Sequence, residues 1–323
     1  MRRKSAFILA CSLLAGVIAF VGRPASAGER KFVIGFSQAT TTEPWRILFN
    51  QELLKEARLH GNVELIVRDG MDDVTKQTAD VEEFITRKVD AILISPKVSE
   101  SLTPVVNKAF DAGIPVFVLD RDLANDRYTQ FIGGNNLMIG RAAGEYAVRL
   151  LGGPGKAHGS VVEIWGGMQS TPAQQRHEGF YEVVRQESGV TIINDPEDGD
   201  WKQHLGYDIM MKQLQRKVKI DLVYAHNDPM AYGAYLAASD AGRQKEMAFL
   251  GIDGIPGEGV RWVEEGALTA TFVYMPPGAE GLRQALKLLN GEPIQKRVML
   301  PTMTIDKSNA REYLESRKTD AAE

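Results

Sequence analysis

The sequence predicts an α/β protein made of two similar halves, each with a parallel sheet covered by helices. Three observations support this fold class. Short apolar runs alternate with amphipathic segments from Lys31 onward, which is typical of parallel strands joined by helices. The same alternation begins afresh after a Gly-Gly-Asn-Asn stretch at residues 133–136. The chain has 323 residues with 25% charged and 44% hydrophobic side chains, an ordinary globular composition that suits about two domains.

The first half contains four predicted strands, all nearly continuous in apolar character, as expected for strands buried on both faces. They are residues 32–36, 63–67, 91–94 and 116–119. The segments between them predict helices, because their apolar residues recur at helical spacing. One such stripe consists of Val81, Phe84 and Ile85, and another runs from Leu102 to Phe110. We assign both stripes to the core.

The second half repeats this pattern. The predicted strands are residues 160–165, 221–225, 249–252 and 269–274, and the predicted helices are residues 172–186, 204–215, 229–241 and 257–265. A tail adds a helix at 278–289, a strand at 297–303 and a last helix at 309–317. Periodicity alone does not assign this tail to either half.

The first 27 residues have the three parts of a secretory signal. Basic residues at positions 2–4 precede an apolar run at 6–21, and Ala25-Ser26-Ala27 forms an A-x-A cleavage site. The apolar run has about 16 residues, fewer than the roughly 20 that span a bilayer. Cys11 precedes most of that run, whereas a lipid-attachment cysteine would follow it. We therefore predict cleavage after Ala27, without lipidation, and export to the periplasm.

Charge and cysteine usage exclude several classes of function. The net charge of −4 gives no reason to expect nucleic acid as a partner. Cleavage would remove four basic and no acidic residues, so the mature charge would be −8. Cys11 is the single cysteine and lies in the signal. The mature chain would therefore have neither a disulfide nor a thiolate metal site, and its stability must come from a packed core.

Polar and aromatic residues follow the predicted strands at the carboxyl ends, where open parallel sheets bind ligands. In the first half these residues are Gln38, Trp45, Arg46, Ser95, Asp120 and Arg121. In the second half they are Asn227, Asp253 and Tyr274, and Trp201 lies in an Asp-Gly-Asp-Trp loop. Carboxylates, amides and guanidinium groups bond hydroxyls, and aromatic faces cover the C–H faces of a sugar ring, so the set predicts a hydroxyl-rich ligand.

Each residue of this set also has a structural interpretation. Asp120 and Arg121 would form a surface ion pair, Trp45 would be core at a helix start, and Asp253 would belong to a turn with Gly254. Arg176 lies inside a predicted helix, which favours a structural ion pair. Arg176 is therefore not among the predicted binding residues.

The sequence contains few enzyme or cofactor motifs. No G-x-G-x-x-G follows a strand, and the glycine-rich stretch 152–156 lacks the spacing of a phosphate loop. The five histidines show no metal-binding spacing, so we predict no metal, no cofactor and no catalytic residue. One alternative is a glycosidase, in which Asp120 and Asp253 would form the carboxylate pair and one of them would need a raised pKa.

Six motifs, taken in order, resemble the type I periplasmic sugar-binding proteins. They are Gly35-Phe36-Ser37-Gln38, Trp45-Arg46, Val118-Leu119-Asp120-Arg121, Arg176-His177-Glu178-Gly179-Phe180, Tyr224-Ala225-His226-Asn227-Asp228-Pro229-Met230 and Gly251-Ile252-Asp253-Gly254. Together they span nearly the whole mature chain. The first and fifth are most similar to the galactofuranose-binding branch, a relative of the ribose- and galactose-binding proteins.

The resemblance implies two Rossmann-like lobes joined by a hinge of three crossovers, with the ligand held between them. The N-terminal lobe would comprise residues 28–134 and about 276–303, and the C-terminal lobe residues 135–275 and about 304–323. This division places the 278–289 helix in the first lobe. The ligand would be delivered to an ABC permease.

The resemblance also implies roles for individual residues. Trp45, Arg46, Asp120 and Arg121 would contact sugar from the first lobe, and Trp201, Asn227 and Asp253 from the second. Trp201 would be the stacking aromatic, and Tyr274 lies where ribose-type members carry a hinge glutamine. Gln174 stands where those members have a ligand-binding arginine, and Arg46 could supply the guanidinium from the opposite lobe. This departure favours a furanose-form hexose or a polyol over ribose.

We therefore predict a monomeric, non-enzymatic solute-binding protein that closes two lobes over a neutral monosaccharide or polyol. Three alternatives stay open. A periplasmic carbohydrate-acting enzyme would consume its ligand, and ligand delivery to a chemoreceptor is compatible with transport. A ligand-binding repressor would need a cytoplasmic location, and no helix-turn-helix precedes the first strand.

Overall fold

A computed structural model describes residues 30–193 and 196–320, with the side chains of 318–320 left aside. The predicted signal segment, residues 1–27, lies outside the described residues, so cleavage after Ala27 stays a prediction. Within the described part of the chain, no helix has both the length and the apolarity that a bilayer span requires.

The first sheet has six strands, all parallel, in the order β11-β5-β4-β3-β1-β2. They are β1 (Phe32–Gln38), β2 (Val63–Asp69), β3 (Ala91–Ile94), β4 (Val116–Leu119), β5 (Gln130–Gly134) and β11 (Arg297–Leu300). We call this sheet and its helices the first lobe.

The second sheet repeats this order as β12-β10-β9-β8-β6-β7, and only β12 is antiparallel to its neighbour. Its strands are β6 (His158–Ile164), β7 (Gly189–Ile192), β8 (Leu222–Ala225), β9 (Ala248–Asp253), β10 (Ala270–Val273) and β12 (Thr304–Asp306). This sheet and its helices form the second lobe. The matching strand orders confirm the predicted fold class of two similar α/β lobes.

Ten α-helices connect and cover the strands in the described chain. They are α1 (Pro44–Arg58), α2 (Val74–Arg87), α3 (Ser99–Asp111), α4 (Asn136–Leu150), α5 (Thr171–Val184), α6 (Gln203–Gln215), α7 (Asp228–Asp240), α8 (Arg261–Glu265), α9 (Gly278–Leu289) and α10 (Ala310–Asp320). A 3-10 turn covers Gln244–Glu246, and a π-turn, Pro256–Val260, leads into α8. Local sequence sets several starts: Asp73 caps α2 by accepting from the backbone N–H groups of Thr75 and Lys76.

The structure corrects the sequence prediction at three strands. The predicted strand at 297–303 is only β11, and the chain then crosses to the second sheet to form β12. The strands β5 and β7 were missed. Glycine is depleted in strands, so Gly133 and Gly134 were interpreted as a junction. β7 is a short edge strand that starts at Gly189 and has exposed side chains.

The described part of the chain passes between the sheets three times: after β5, after β10, and between β11 and β12. The helix α9 packs against α1 and the strands β3 and β4, so it covers the first sheet. Both features agree with the hinge that the resemblance implies. The three crossovers join the two sheets so that their carboxyl ends face one another.

The helices α4 and α5 lie in backbone contact because glycines stand where they cross. A Cβ atom on Gly179 would lie 2.2 Å from the carbonyl oxygen of Leu137, and one on Gly140 would lie 2.4 Å from that of Arg176. Both distances are far below van der Waals contact. The crossing therefore requires glycine, and it fixes Arg176 relative to the sheet beneath.

Replacing Gly179 by Ala should destabilise the protein by about 1 to 3 kcal/mol, since two packed backbones must separate to admit one methyl group. Denaturant unfolding measures this change. Gly61→Ala is a matched control, because no described residue other than its chain neighbours has an atom within 4 Å of the added Cβ, and a change within about 0.5 kcal/mol is expected. Equal stability of the two variants would show that α4 and α5 can separate without cost.

Candidate functional site

A cavity lies where the carboxyl ends of the two sheets meet. It contains about 390 Å³ of space that no protein atom fills, part of it open to solvent. Both lobes line it. The lining residues are Glu43, Trp45, Arg46, Asp120, Arg121, Pro172, Arg176, Trp201, Asn227, Asp253 and Tyr274.

Arg46 is fixed on the first-lobe wall by a buried polar network. Its Nη2 lies 2.7 Å from Oδ2 of Asp120, and both side chains are about 95% buried or more. Its Nη1 donates to Oγ of Ser95 at 2.7 Å and to Oε1 of Gln38 at 3.1 Å. The predicted residues Gln38 and Ser95 therefore lie behind Arg46 and are absent from the cavity lining. They hold the guanidinium in place and restrict its rotation.

Tyr274 joins the two lobes at the hinge. Its hydroxyl donates to Oδ1 of Asp120 at 2.7 Å, and its carbonyl accepts from Nε1 of Trp45 at 2.7 Å. The Trp45 and Tyr274 rings stack with centroids 5.2 Å apart. Burial, with the nearby Asp120 carboxylate, raises the pKa of Tyr274, so the phenol remains a proton donor.

Trp201 and Asn227 line the cavity from the second lobe. Asn227 caps α7 by accepting from the N–H of Met230, and its Nδ2 donates to the carbonyl of Trp201 at 3.0 Å. The Trp201 ring covers Gly166 and Gly167: a Cβ atom on Gly166 would lie 2.3 Å from the ring. A side chain at position 166 or 167 would overlap the indole, so glycine at both positions allows the ring to lie there.

Arg176 corrects the sequence analysis, which favoured a structural ion pair. It is 2% exposed and lines the cavity. Its Nε donates to Oδ1 of Asn136 at 2.9 Å and its Nη1 to the carbonyl of His226 at 2.5 Å. Among the described residues it has no carboxylate within ion-pair distance. Its guanidinium carbon lies 4.5 Å from the ring centroid of Tyr274, a cation–π contact.

The structure also corrects the expectation that Gln174 faces the ligand. It is exposed, its Nε2 donates to the carbonyl of Met168 at 3.2 Å, and it does not line the cavity. Residues two positions apart on a helix point about 200° apart, so α5 can direct only one of Gln174 and Arg176 inward. Sequence reasoning missed Arg176, Glu43 and Pro172. For Arg176, the available signal was its position three residues before Gly179 in a closely packed helix.

Two buried donors in the lining, Nε of Arg121 and Nε1 of Trp201, have no hydrogen-bond partner among the described residues. Burial, with the charge of Arg46, lowers the pKa of Arg121 to about 10, and it remains a cation at neutral pH. Buried donors without partners are rare in folded proteins. Both could donate to hydroxyl oxygens of a ligand.

The backbone is strained where it enters the cavity. Asp120, Trp201 and Asp253 have φ angles of 68°, 64° and 136°, a region that side-chain-bearing residues rarely adopt. Such strain persists only where surrounding structure enforces it, and it concentrates at binding and catalytic sites. All three residues are among those that the sequence placed at strand ends or in the adjoining loop.

The carboxyls of Asp253, the last residue of β9, and Asp228, the first residue of α7, are both buried. Burial raises the pKa of Asp228 to about 7, although its bonds from Thr271 and the N–H of Gly254 oppose the shift. Burial and the charge of Asp228 raise the pKa of Asp253 well above its usual range. Oδ1 of Asp228 has no hydrogen-bond partner among the described residues.

This pair predicts that stability falls as the pH rises from about 4 to about 7. An unfolded chain releases the Asp proton near pH 4, whereas the folded protein retains it until about pH 7 at Asp228. Over that interval the folded state binds more protons, so deprotonation favours unfolding. Thermal melts at several pH values measure the slope. Asp228→Asn should make it shallower, whereas the exposed Asp208→Asn should leave it unchanged; equal slopes would contradict the assignment.

The described residues contain no cluster of three or more His, Cys, Asp or Glu side chains arranged to hold a metal ion. The sequence pattern of the periplasmic binding protein domain matches residues 34–293. The chain belongs to the periplasmic binding protein family. The site described above lies between the two lobes of this periplasmic binding protein.

Sequence relatives of this binding protein include sugar-binding components of importers. It is 30% identical to the ribose import binding protein of Bacillus subtilis (strain 168) over 282 residues, covering 86% of this chain and 89% of that protein. It is also 30% identical to a galactofuranose-binding protein of Escherichia coli (strain K12), covering 88% of this chain and 91% of that protein.

Among solved structures, the fold is similar to that of the fructose-binding periplasmic domain of a hybrid two-component system. The TM-score is 0.86 at 38% sequence identity, and the match covers 90% of this chain and 96% of that domain. The predicted resemblance to periplasmic sugar-binding proteins is therefore confirmed.

Proposed function

We propose that this protein is the sugar-binding component of an ABC importer, which captures a neutral monosaccharide or polyol in the periplasm and delivers it to a membrane permease. The observation that carries the proposal is the cavity between the lobes, which residues of both lobes line. Its aromatic rings and paired charges suit a ring with hydroxyl groups. The importer relatives support the transport role.

The ligand is a neutral furanose-form hexose or a related polyol. Three arginines, at positions 46, 121 and 176, and three acidic residues, Glu43, Asp120 and Asp253, line the cavity. The galactofuranose- and fructose-binding relatives support this class. Arg46 and Arg176 supply guanidinium donors from opposite lobes.

The ligand-binding residues that we propose are those of the cavity lining named above, from Glu43 to Tyr274. The lobes are residues 28–134 with about 276–303, and 135–275 with about 304–323. Neither lobe contains all the binding groups, so ligand favours the closed arrangement. The protein works as a monomer after cleavage of residues 1–27. The fructose-binding sensor domain favours a second candidate, in which the bound protein presents its ligand to a chemoreceptor.

A thermal-shift panel tests the ligand class. We expect D-fructose, D-galactose and myo-inositol to raise the melting temperature more than D-ribose, and glucose 6-phosphate to have no effect. A ligand at 100 times its Kd adds about 2.7 kcal/mol of stability, which is easily detected. Tight ribose binding would overturn the furanose assignment. Loss of a bound sugar during incubation would favour the carbohydrate-acting enzyme, and a secreted mass that includes residues 1–27 would contradict export by cleavage.

A further inference from the structure

Four charged residues meet across the lips of the two lobes. Asp72 and Lys97 belong to the first lobe, and Asp200 and Lys202 to the second; we call them the lip network. Lys97 Nζ lies 2.6 Å from Oδ1 of Asp72 and 3.1 Å from Oδ1 of Asp200. Lys202 Nζ lies 2.5 Å from Oδ2 of Asp200 and 3.8 Å from Oδ2 of Asp72. Each lysine thus faces one carboxylate of its own lobe and one of the other.

The geometry on both sides is held in place by the backbone. Asp72 and Asp200 both adopt left-handed φ angles, 62° and 43°, which side-chain-bearing residues rarely adopt. The N–H of Asp72 donates to the carbonyl of Ala39 at 2.9 Å, directly after β1. On the other lobe, the N–H of Gly199 donates to the carbonyl of Trp165 at 2.9 Å, directly after β6. Equivalent strand ends therefore support the two facing loops.

The lip network is connected to the cavity without lining it. None of its four side chains is among the lining residues. The carbonyl of Lys97 accepts from Nη1 of the lining residue Arg121 at 3.1 Å, and its N–H donates to Oε1 of Gln77 at 2.7 Å. Asp200 directly precedes the lining residue Trp201. Residues that line the cavity are thus bonded or directly adjacent in the chain to the lip network.

The four side chains are between 20% and 36% exposed. Salt screens such pairs less than fully exposed ones, but still reaches them. The bond from Lys202 and the charge of Lys97 keep the pKa of Asp200 low although burial opposes them. The bond to Asp200, with the charges of Asp72 and Glu43, raises the pKa of Lys202. Asp200 and Lys202 therefore stay charged at neutral pH.

We propose that the lip network sets the affinity for the sugar by stabilising the closed form, without touching the ligand. The two contacts that cross the lobes form only on closure, whereas the single contact within each lobe persists in the open form. Any free energy that the crossing contacts contribute therefore favours closure, and with it the retention of ligand. This proposal rests on the sugar-binding function proposed above.

The test is calorimetric titration with the panel sugar that gives the largest thermal shift, from about 0.01 M to about 1 M salt, where the Debye length falls from about 30 Å to about 3 Å. The ligand is neutral, so its direct contacts should depend little on salt. We expect wild-type affinity to weaken about three- to tenfold over this range. Asp200→Asn and Lys97→Gln should weaken binding to a similar extent at low salt and should flatten the salt dependence.

Lys212→Gln is the matched control. It removes the same charge and an ion pair with Glu197 that lies within the second lobe, so affinity and its salt dependence should remain those of wild type. In the double variant of Lys97→Gln and Asp200→Asn, the effects on affinity should be less than additive, because both substitutions remove the same contact between Lys97 and Asp200. Salt-independent wild-type affinity, or wild-type affinity in Asp200→Asn, would overturn the proposal.

A second measurement separates failure of the network from failure of the proposed function. If no panel sugar shifts the melting temperature, the sugar-binding proposal fails. The network is then measured without ligand, by the distance between spin labels on cysteines introduced at the exposed residues Glu100 and His204, one on each lobe. Low salt should shift the distances to shorter values in the otherwise wild-type protein but not with Asp200→Asn. Identical distributions would overturn the lip network.

Discussion

Asp120→Asn is expected to destabilise the protein by about 3 to 5 kcal/mol, because it leaves the guanidinium of Arg46 buried without its counter-ion. Asp120 is 3% exposed and Arg46 4% exposed, so water cannot replace the lost charge. Asparagine preserves the shape of the side chain and tolerates the left-handed backbone at this position. Denaturant unfolding therefore reports the loss of charge alone.

The double variant of Arg46→Met and Asp120→Asn separates the ion pair from other effects of the substitution. Removing both charges should recover a large part of the stability lost in Asp120→Asn, since no unpaired charge is then buried. Sugar binding should be lost in both variants, because Arg46 and Asp120 both line the cavity. If the double variant is less stable than the single one by an additive amount, the two side chains do not act as a pair.

Asp253→Ala should separate folding from binding. Asp253 is 7% exposed, and burial, with the charge of Asp228, raises its pKa. Removing this carboxyl should leave unfolding stability at pH 7 equal to or above that of wild type, because a buried acid is lost. Affinity for the identified sugar should fall about tenfold to a hundredfold, because truncation leaves a buried hydroxyl of the sugar without its partner, at a cost of about 1 to 3 kcal/mol.

Calorimetry and denaturant unfolding of the same preparation measure both effects. Asp208→Ala is the matched control, since it removes an exposed carboxylate from α6 of the same lobe, and both properties should remain unchanged. Wild-type affinity in Asp253→Ala would remove this residue from the proposed binding set. A large loss of stability would instead show that the carboxyl supports the fold.

Local pattern was sufficient to predict most elements. The strands β3 and β4 and the helix α9 have the predicted bounds, because each is an uninterrupted apolar run or stripe. The rule that ligands bind beyond the carboxyl ends of parallel strands placed Asp120, Asn227 and Asp253 at the cavity. These residues could be found because their position depends only on where a strand ends.

Contacts between distant segments were not predictable in this way. Gln38 and Ser95 follow strands as Asp120 does, yet Arg46 crosses in front of them and separates them from the cavity. Arg176 and Gln174 share a helix, and only the packing of Gly179 against α4 decides which of them faces inward. The tail from residue 297 to 306 divides between two sheets, since strand pairing is fixed by partners far away in sequence.

The sequence by itself determined the two α/β halves, the family resemblance and the strand-end residues, because hydrophobic periodicity and short motifs are properties of neighbouring residues. The tertiary structure alone decided which polar groups face the cavity, which support them from behind, and how the two lips meet. Burial, hydrogen bonding and ion pairing across the lobes depend on groups that are remote in the chain. Lys97 and Asp200 are separated by 103 positions and lie 3.1 Å apart only because two sheets face each other.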